Sequence, residues 1–458
     1  MKKIGHIKTF TSKEVEKSYV SIDFCCLDRE LFDPDKCYDA LFNTGVKYAR
    51  CQSGWNRCEK QKGVYTFEWL DSVIDNLCQR GIEPWLQIGY GNPIYMPDAP
   101  NPTAVGCVPL YYGEETLEAW KRYVRFVTER YKGRIKKFEI WNECDLNHFW
   151  YPKDPNGAEY AKLINITACE IKNIYPEAEI IGVVAEPKAF AFINDLLDNV
   201  NKEYLDYFSY HIYAKVPEFK FGEITHELKK RFKSKGFEHV RFIQGEAGYP
   251  SWAYKGHWLV PWGCDDERPQ AIFMLRRYFL DIYDGVCMSS FFQIVDMWEK
   301  PYAKAQEVIQ KPAAHGILNG LTYTPKLSYK TITNISAIFS GDILPSDDYL
   351  LVAGLTSSPI DLLSFVKMTF RKNGYPVYAF YYPSDITKEY KTESRARLTV
   401  LNKISDPVII DTLSGEVFDT EMAYCDNRNY GTNTYSYDLP IKDYPLVLTD
   451  RKAFEITE

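Results

Sequence analysis

From about residue 19 to 340 the chain alternates short apolar runs with longer stretches whose apolar residues recur every three or four positions. The short runs are rich in β-branched and aromatic residues and read as strands: 19–26 (YVSIDFCC), 46–51, 82–90, 135–143 (IKKFEIWNE), 178–186, 204–213 (YLDYFSYHIY), 240–248 (VRFIQGEAG) and 285–295. The stretches 33–45, 67–81, 114–133, 157–176, 189–200, 223–236, 269–285 and 327–339 carry the helical period. Punctuation agrees with it: Asp33 and Pro34 open one helix, Gly45 follows it, and Gly81 closes the next. Eight strand–helix units predict a parallel sheet, and at that number a closed (β/α)8 TIM barrel. An open doubly wound sheet is the other solution, but no glycine-rich phosphate turn follows the first strand.

After residue 341 the texture changes. Runs at 348–355, 362–383, 396–402, 407–413 and 445–450 are strand-like, with Asn373-Gly374 and Ser414-Gly415 as turn signals. The expectation is a barrel over 1–340 and a smaller antiparallel β-sandwich over 341–458, with residues 1–18 able to join the sandwich. No repeat, low-complexity tract or long linker separates the two parts.

Composition narrows the function. The net charge of −7 argues against a nucleic-acid surface, and the basic stretch 130–138 reads as a helix end with solvated charges. No window of about 18 apolar residues offers a membrane span. The N-terminus has two lysines but no apolar h-region, so no signal peptide is read and a cytoplasmic location is expected. The 12 cysteines have no CxxC spacing and many lie in apolar runs, which predicts reduced thiols; no zinc-type ligand cluster is found, and neither metal nor cofactor is expected. The 35 Tyr, 26 Phe and 10 Trp supply flat faces with polar edges, a chemistry that suits sugars as well as cores.

In a barrel of this kind the chemistry sits where the strands end. Glu143 ends the fourth strand and Glu246 the seventh. Other strand ends are polar or aromatic: Arg50, Gln87, Tyr90, His211, Tyr213 and, beyond the eighth, Trp298. Two carboxylates in one aromatic-ringed cleft are what glycoside hydrolysis requires, one as acid and one as nucleophile or base. An inward Arg50 needs a carboxylate partner. Trp298 can form a platform under a sugar ring or fill the core. His211 is either a satisfied core histidine or a substrate contact, and Tyr90, Asn92 and Tyr95 either wall the pocket or form an ordinary loop. Glu139 shares the face of Glu143 by alternation but lies about 13 Å deeper at roughly 3.3 Å per residue, which favours a buried ion pair. Asp145 and Asn147 read as solvated loop residues, and Asp265, Asp266 and Glu267 as an acidic helix start.

EIWNE on the fourth strand and QGEAG on the seventh resemble the two catalytic strands of the clan A retaining glycoside hydrolases. With SYHIY on the sixth strand and the barrel-plus-sandwich layout, the chain is similar to glycoside hydrolase family 39, the β-xylosidase type. The resemblance implies Glu143 as acid/base, Glu246 as nucleophile, Asn142 on the substrate 2-hydroxyl and Tyr213 hydrogen-bonded to the nucleophile. Many relatives carry Pro-Asn after WNE; this chain has Cys144-Asp145. The implied activity is retaining hydrolysis of β-glycosides, exo-acting as in a β-xylosidase, on an oligosaccharide or small glycoside. The competing readings are an endo-acting glycanase, a carbohydrate-binding protein without catalysis, and a Schiff-base lyase using Lys215.

Overall fold

The computed structural model describes residues 1–219, 222–253, 266–297, 314–355, 365–383, 395–426 and 433–458. Eight parallel strands close into a barrel in sequence order: β1 (Val20–Phe24), β2 (Tyr48–Gln52), β3 (Glu83–Ile88), β4 (Lys137–Ile140), β5 (Glu179–Val184), β6 (Tyr207–His211), β7 (Arg241–Ala247) and β8 (Met288–Phe291). β8 returns to β1 through Val20↔Ser289 and Ile22↔Phe291. The helices fall where the periodicity predicts, among them Glu68–Gln79, Glu114–Tyr131, Gly157–Ile174 and Glu267–Tyr283. Each buries an apolar stripe against the strands' outer face, for example Leu70, Val73, Ile74 and Leu77.

The barrel interior is layered by polarity. Trp85, Ile181, Tyr207, Ile243 and Met288 form an apolar cluster of their own, distinct from the core between barrel and helices. Lys137 caps it, with its ammonium 5.8 Å from the Tyr48 ring and 5.7 Å from that of Tyr207. Nearer the strand ends a second layer is polar and fully enclosed: Asp23, Arg50, Gln87, Glu139, Ser209 and Gln244. The apolar plug makes the barrel a core rather than a pore, so a ligand can enter only from the strand-end side.

The remaining strands form two antiparallel sheets. Four strands pair as Leu350–Gly354, Arg395–Val400, Thr434–Pro440 and Tyr424–Asp426. The larger sheet includes the hairpin Val366–Lys372 and Tyr375–Tyr381, whose turn residues Asn373 and Gly374 both have positive φ (53° and 82°), as the Asn-Gly pair predicts. Lys3–Ile7 belongs to this sheet, between Glu416–Asp419 and Ile456–Thr457, so the chain begins and ends in it. Phe370 of the sheet packs against Phe279, Tyr283 and Phe339 of the barrel helices, and Arg268 pairs with Asp443 at 2.8 Å. Tyr381 donates to Glu218 at 2.7 Å, tying the sheet to the loop after β6. Among the described residues no helix is long and apolar enough to cross a membrane, and the cysteines there are free thiols, most of them buried.

Gly45, which the pattern marks as a helix stop, has φ +72°, and a Cβ there would lie 2.7 Å from the Phe10 carbonyl oxygen. Gly45→Ala is therefore expected to lower the free energy of unfolding by about 2 kcal/mol, read by denaturant titration.

Candidate active site

β4 ends at Ile140, earlier than the apolar run suggests, because the backbone turns left-handed at Trp141 (φ 73°) and again at Glu143 (φ 43°). Non-glycine residues resist that conformation, so something must hold it. Trp141 does: its ring meets Tyr90, Trp120 and Trp150 at 5.8, 6.0 and 6.4 Å, and its indole N–H donates to the Phe149 carbonyl at 2.6 Å. Cys144 is buried behind it. Asp145 is not the solvated loop residue the sequence suggests. Its two carboxylate oxygens accept the backbone N–H groups of Ala185 and Glu186 at 2.6 and 2.8 Å, locking the β4 loop to the end of β5. Asn147 is exposed, in line with its reading.

On β7 the close approach of strands requires Gly245, where a Cβ would fall 2.0 Å from Ser209 Oγ. The register slips here, so that His211 lies opposite Glu246. These two departures from regular geometry bring Glu143, His211 and Glu246 together, with one ligand atom of each inside a 4.8 Å group. His211 Nδ1 lies 2.9 Å from Glu143 Oε1 and 3.8 Å from Glu246 Oε2. Tyr213 donates to Glu246 Oε1 at 2.7 Å and Arg50 to Oε2 at 2.8 Å.

Arg50 is 1% exposed and shared. Its Nε donates to Glu139 at 3.0 Å, one terminal nitrogen to both Glu139 and Asn142 (2.7 Å to the latter), and the other stands 3.6 Å from Asp23. Glu139 thus forms the expected buried ion pair. One guanidinium spans Glu139 and Glu246, and the chain leaves the strand at Trp141 instead of continuing the alternation.

Electrostatics separates the two carboxyls. Burial raises the Glu143 carboxyl to about 7, with Arg50 acting in the opposite direction and Asp145 in the same one. Burial lowers His211 to about 4, so the imidazole beside Glu143 is neutral near pH 7. Glu246 faces the fixed positive charge of Arg50 and the hydroxyl of Tyr213.

A cavity of about 920 Å³ opens in front of these groups, lined by Glu143, His211, Tyr213 and Glu246 and also by Cys26, Arg29, Gln293 and His315. Arg50 and Asn142 are buried behind it. Three other expected substrate contacts lie elsewhere. Gln87 is enclosed in the barrel's polar layer, level with Gln52 and Glu139, because β3 runs on past it. Tyr90 is 3% exposed and stacks on Phe149 at 5.8 Å, behind Trp141. Asn92 donates to the Glu59 carbonyl at 2.8 Å and accepts from Ile94, which shapes its own loop, and Tyr95 donates to Glu59. Trp298 and Asp265 lie outside the described residues; Asp266 caps the helix Glu267–Tyr283. Arg29 and Gln293 were missed, although Gln293 stands at the end of the eighth apolar run in the position that marks the other strand-end residues. Its Oε1 is buried with no hydrogen-bond partner among the described residues.

Glu143, His211 and Glu246 also have the composition of a small cation site, which the sequence reading did not anticipate. Arg50 already places a positive charge 2.8 Å from the Glu246 oxygen, and a second cation in the same space is opposed by it.

Comparison with known proteins agrees with this architecture. The model of the glycosyl hydrolases family 39 matches residues 35–258. A β-xylosidase of Geobacillus stearothermophilus is 28% identical over 184 residues, 37% of this chain and 34% of that protein. A β-xylosidase of Caldicellulosiruptor saccharolyticus is 26% identical over 323 residues, 64% of this chain and 62% of that one. The chain thus spans about a third and about three fifths of the length of these relatives. A family 39 glycoside hydrolase from the gut symbiont Bacteroides cellulosilyticus WH2 shares the fold with a TM-score of 0.68 at 17% identity, over 97% of this chain and 83% of that one. A family 39 β-xylosidase from Caulobacter crescentus does so with 0.58 at 16%, over 98% and 97%. In sequence and fold this chain is similar to the family 39 glycoside hydrolases, whose model matches just under half of it.

Proposed function

We propose that the chain hydrolyses β-glycosides with retention of configuration, Glu246 acting as nucleophile and Glu143 as acid and then base. The observation that carries the reading is the pair itself: two carboxyls with oxygens inside a 4.8 Å group, one raised to about 7 by burial and the other bonded to a guanidinium and a phenol. So short a gap suits direct attack, since inverting enzymes separate their carboxyls by about 6.5–9.5 Å to admit a water.

In the first step a Glu246 oxygen attacks the anomeric carbon while the Glu143 proton passes to the leaving oxygen. A covalent glycosyl-enzyme forms and the aglycone departs. In the second, the Glu143 carboxylate takes a proton from water, whose oxygen attacks the anomeric carbon and releases Glu246. Arg50 and Tyr213 hold the nucleophile's orientation. Neutral His211 keeps a second positive charge away from Glu143, which would otherwise be drawn into its ionised form. Asn142, the residue proposed for the substrate 2-hydroxyl, offers its amide oxygen to Arg50, which leaves its amide nitrogen as the donor. The relatives named β-xylosidases support exo action on β-xylosides, and a panel of aryl β-xyloside, glucoside, galactoside, mannoside and glucuronide tests the sugar.

Glu246→Ala is expected to lose turnover by several orders of magnitude and to regain it with azide, giving a glycosyl azide of inverted configuration; a retained product overturns the assignment. Glu143→Ala is expected to cost about 10²–10⁴-fold on poor leaving groups and far less on 2,4-dinitrophenyl glycosides, and kcat/KM of the parent falls as pH rises through about 7. The same carboxyl affects stability. Its folded value of about 7 lies above the ordinary 4.5, so the folded state holds more protons between these values and stability falls as pH rises through that window. Glu143→Gln, which mimics the protonated form, should therefore gain thermal stability over the parent increasingly from pH 5 to pH 8.

A further inference from the structure

The cavity in front of the two carboxyls is divided by chemistry. Toward β1 and β8 its wall carries Arg29, Gln293 and His315. Toward β4, β5 and β6 it is built from Leu146, Pro187, Ile212, Val216, Phe219 and Ile224. Leu146, Val216 and Phe219 are 39, 42 and 47% exposed, a cluster of large apolar side chains on a concave surface. Glu143 stands at the boundary, and its carbonyl accepts the Leu146 N–H at 3.0 Å.

Of the polar groups within the apolar half, Lys215 stands exposed at the rim and the others are already engaged. Asp145 is taken up by two backbone N–H groups. Glu186 accepts the Lys188 N–H at 2.9 Å and lies 3.9 Å from its ammonium, which sits 5.0 Å over the Phe219 ring. The wall is also held from behind: Glu218 accepts from Tyr381 and pairs with Arg276 at 3.6 Å, and Arg277 donates to the Pro217 carbonyl at 3.0 Å. It is a fixed surface rather than a loose loop.

An acid protonates the leaving oxygen, so the leaving group lies on the Glu143 side of the scissile bond. We infer that the leaving-group subsite takes an apolar aglycone, and that alkyl or aryl β-glycosides are preferred over oligosaccharides. The inference rests on the glycosidase reading and deepens it. A sugar in this subsite would surrender the hydration of its hydroxyls to a surface with few donors or acceptors to replace it, whereas an alkyl or aryl group gains from burial against Leu146 and Phe219.

The test is a series of n-alkyl β-glycosides from methyl to octyl, on the sugar that the aryl panel selects, compared with the matching β-disaccharide. Leaving-group basicity is nearly constant along the series beyond methyl, so the slope reports contact. kcat/KM is expected to rise by up to about fourfold for each methylene buried, and the octyl glycoside to exceed the disaccharide. Phe219→Ser and Leu146→Ser should lower the octyl-to-methyl ratio, a quantity independent of the fraction of enzyme that folds. A flat series, or a disaccharide preferred to the octyl glycoside, overturns the inference while leaving the glycosidase intact. Failure to turn over any member of the aryl panel overturns the glycosidase reading, and the inference with it.

Discussion

The guanidinium of Arg50 carries a positive charge in the middle of the barrel, 1% exposed, and most of the site's geometry follows from neutralising it. Burying an ion costs several kcal/mol unless charges and hydrogen bonds replace its water. Glu139 below, Glu246 above, Asn142 beside and Asp23 across the strand pair supply them. Burial holds the Asp23 carboxyl well above its usual range, with Arg50 pulling the other way. One cation thereby fixes side chains from β1, β2, β4 and β7 relative to one another, and the position of Glu246 is a consequence of that packing.

Glu143 and Glu246 are chemically identical and within reach of the same imidazole, yet their surroundings differ. Glu246 meets a fixed positive charge and a phenol. Glu143 meets a neutral His211 and little water, so its proton is retained to about 7. Two carboxyls in contrasting environments can divide acid and nucleophile roles between them. The contrast depends on the left-handed turns at Trp141 and Glu143, which swing Glu143 away from Arg50's coordination shell, and those turns are held by an aromatic box some distance from the chemistry.

The barrel was legible in the sequence because its signal is repetitive: eight apolar runs of strand length, each followed by a helical period, admit few folds. Local chemistry was legible too where it needs only neighbours in the chain, as at Gly45, Asn373-Gly374 and the Asp33 cap. The sandwich was read less completely. The strands Ile343–Pro345, Glu416–Asp419 and Tyr424–Asp426 are three or four residues long, too short for alternation to show, and are defined by the partners they pair with.

For the site, the sequence alone determined which residues stand at strand ends, and hence the candidacy of Glu143, Glu246, His211, Tyr213 and Arg50. Depth and direction were decided only by the tertiary structure. Strand alternation is a rule for regular backbone, and it fails at Trp141 and at the slip beside Gly245, where the chemistry is assembled. Gln87 and Asn92 carry polar groups that suit a sugar, yet the first is sealed in the barrel's polar layer and the second is spent on its own loop. Arg29 and Leu146 have no marking in the sequence, since lining a cavity depends on what the rest of the chain leaves uncovered.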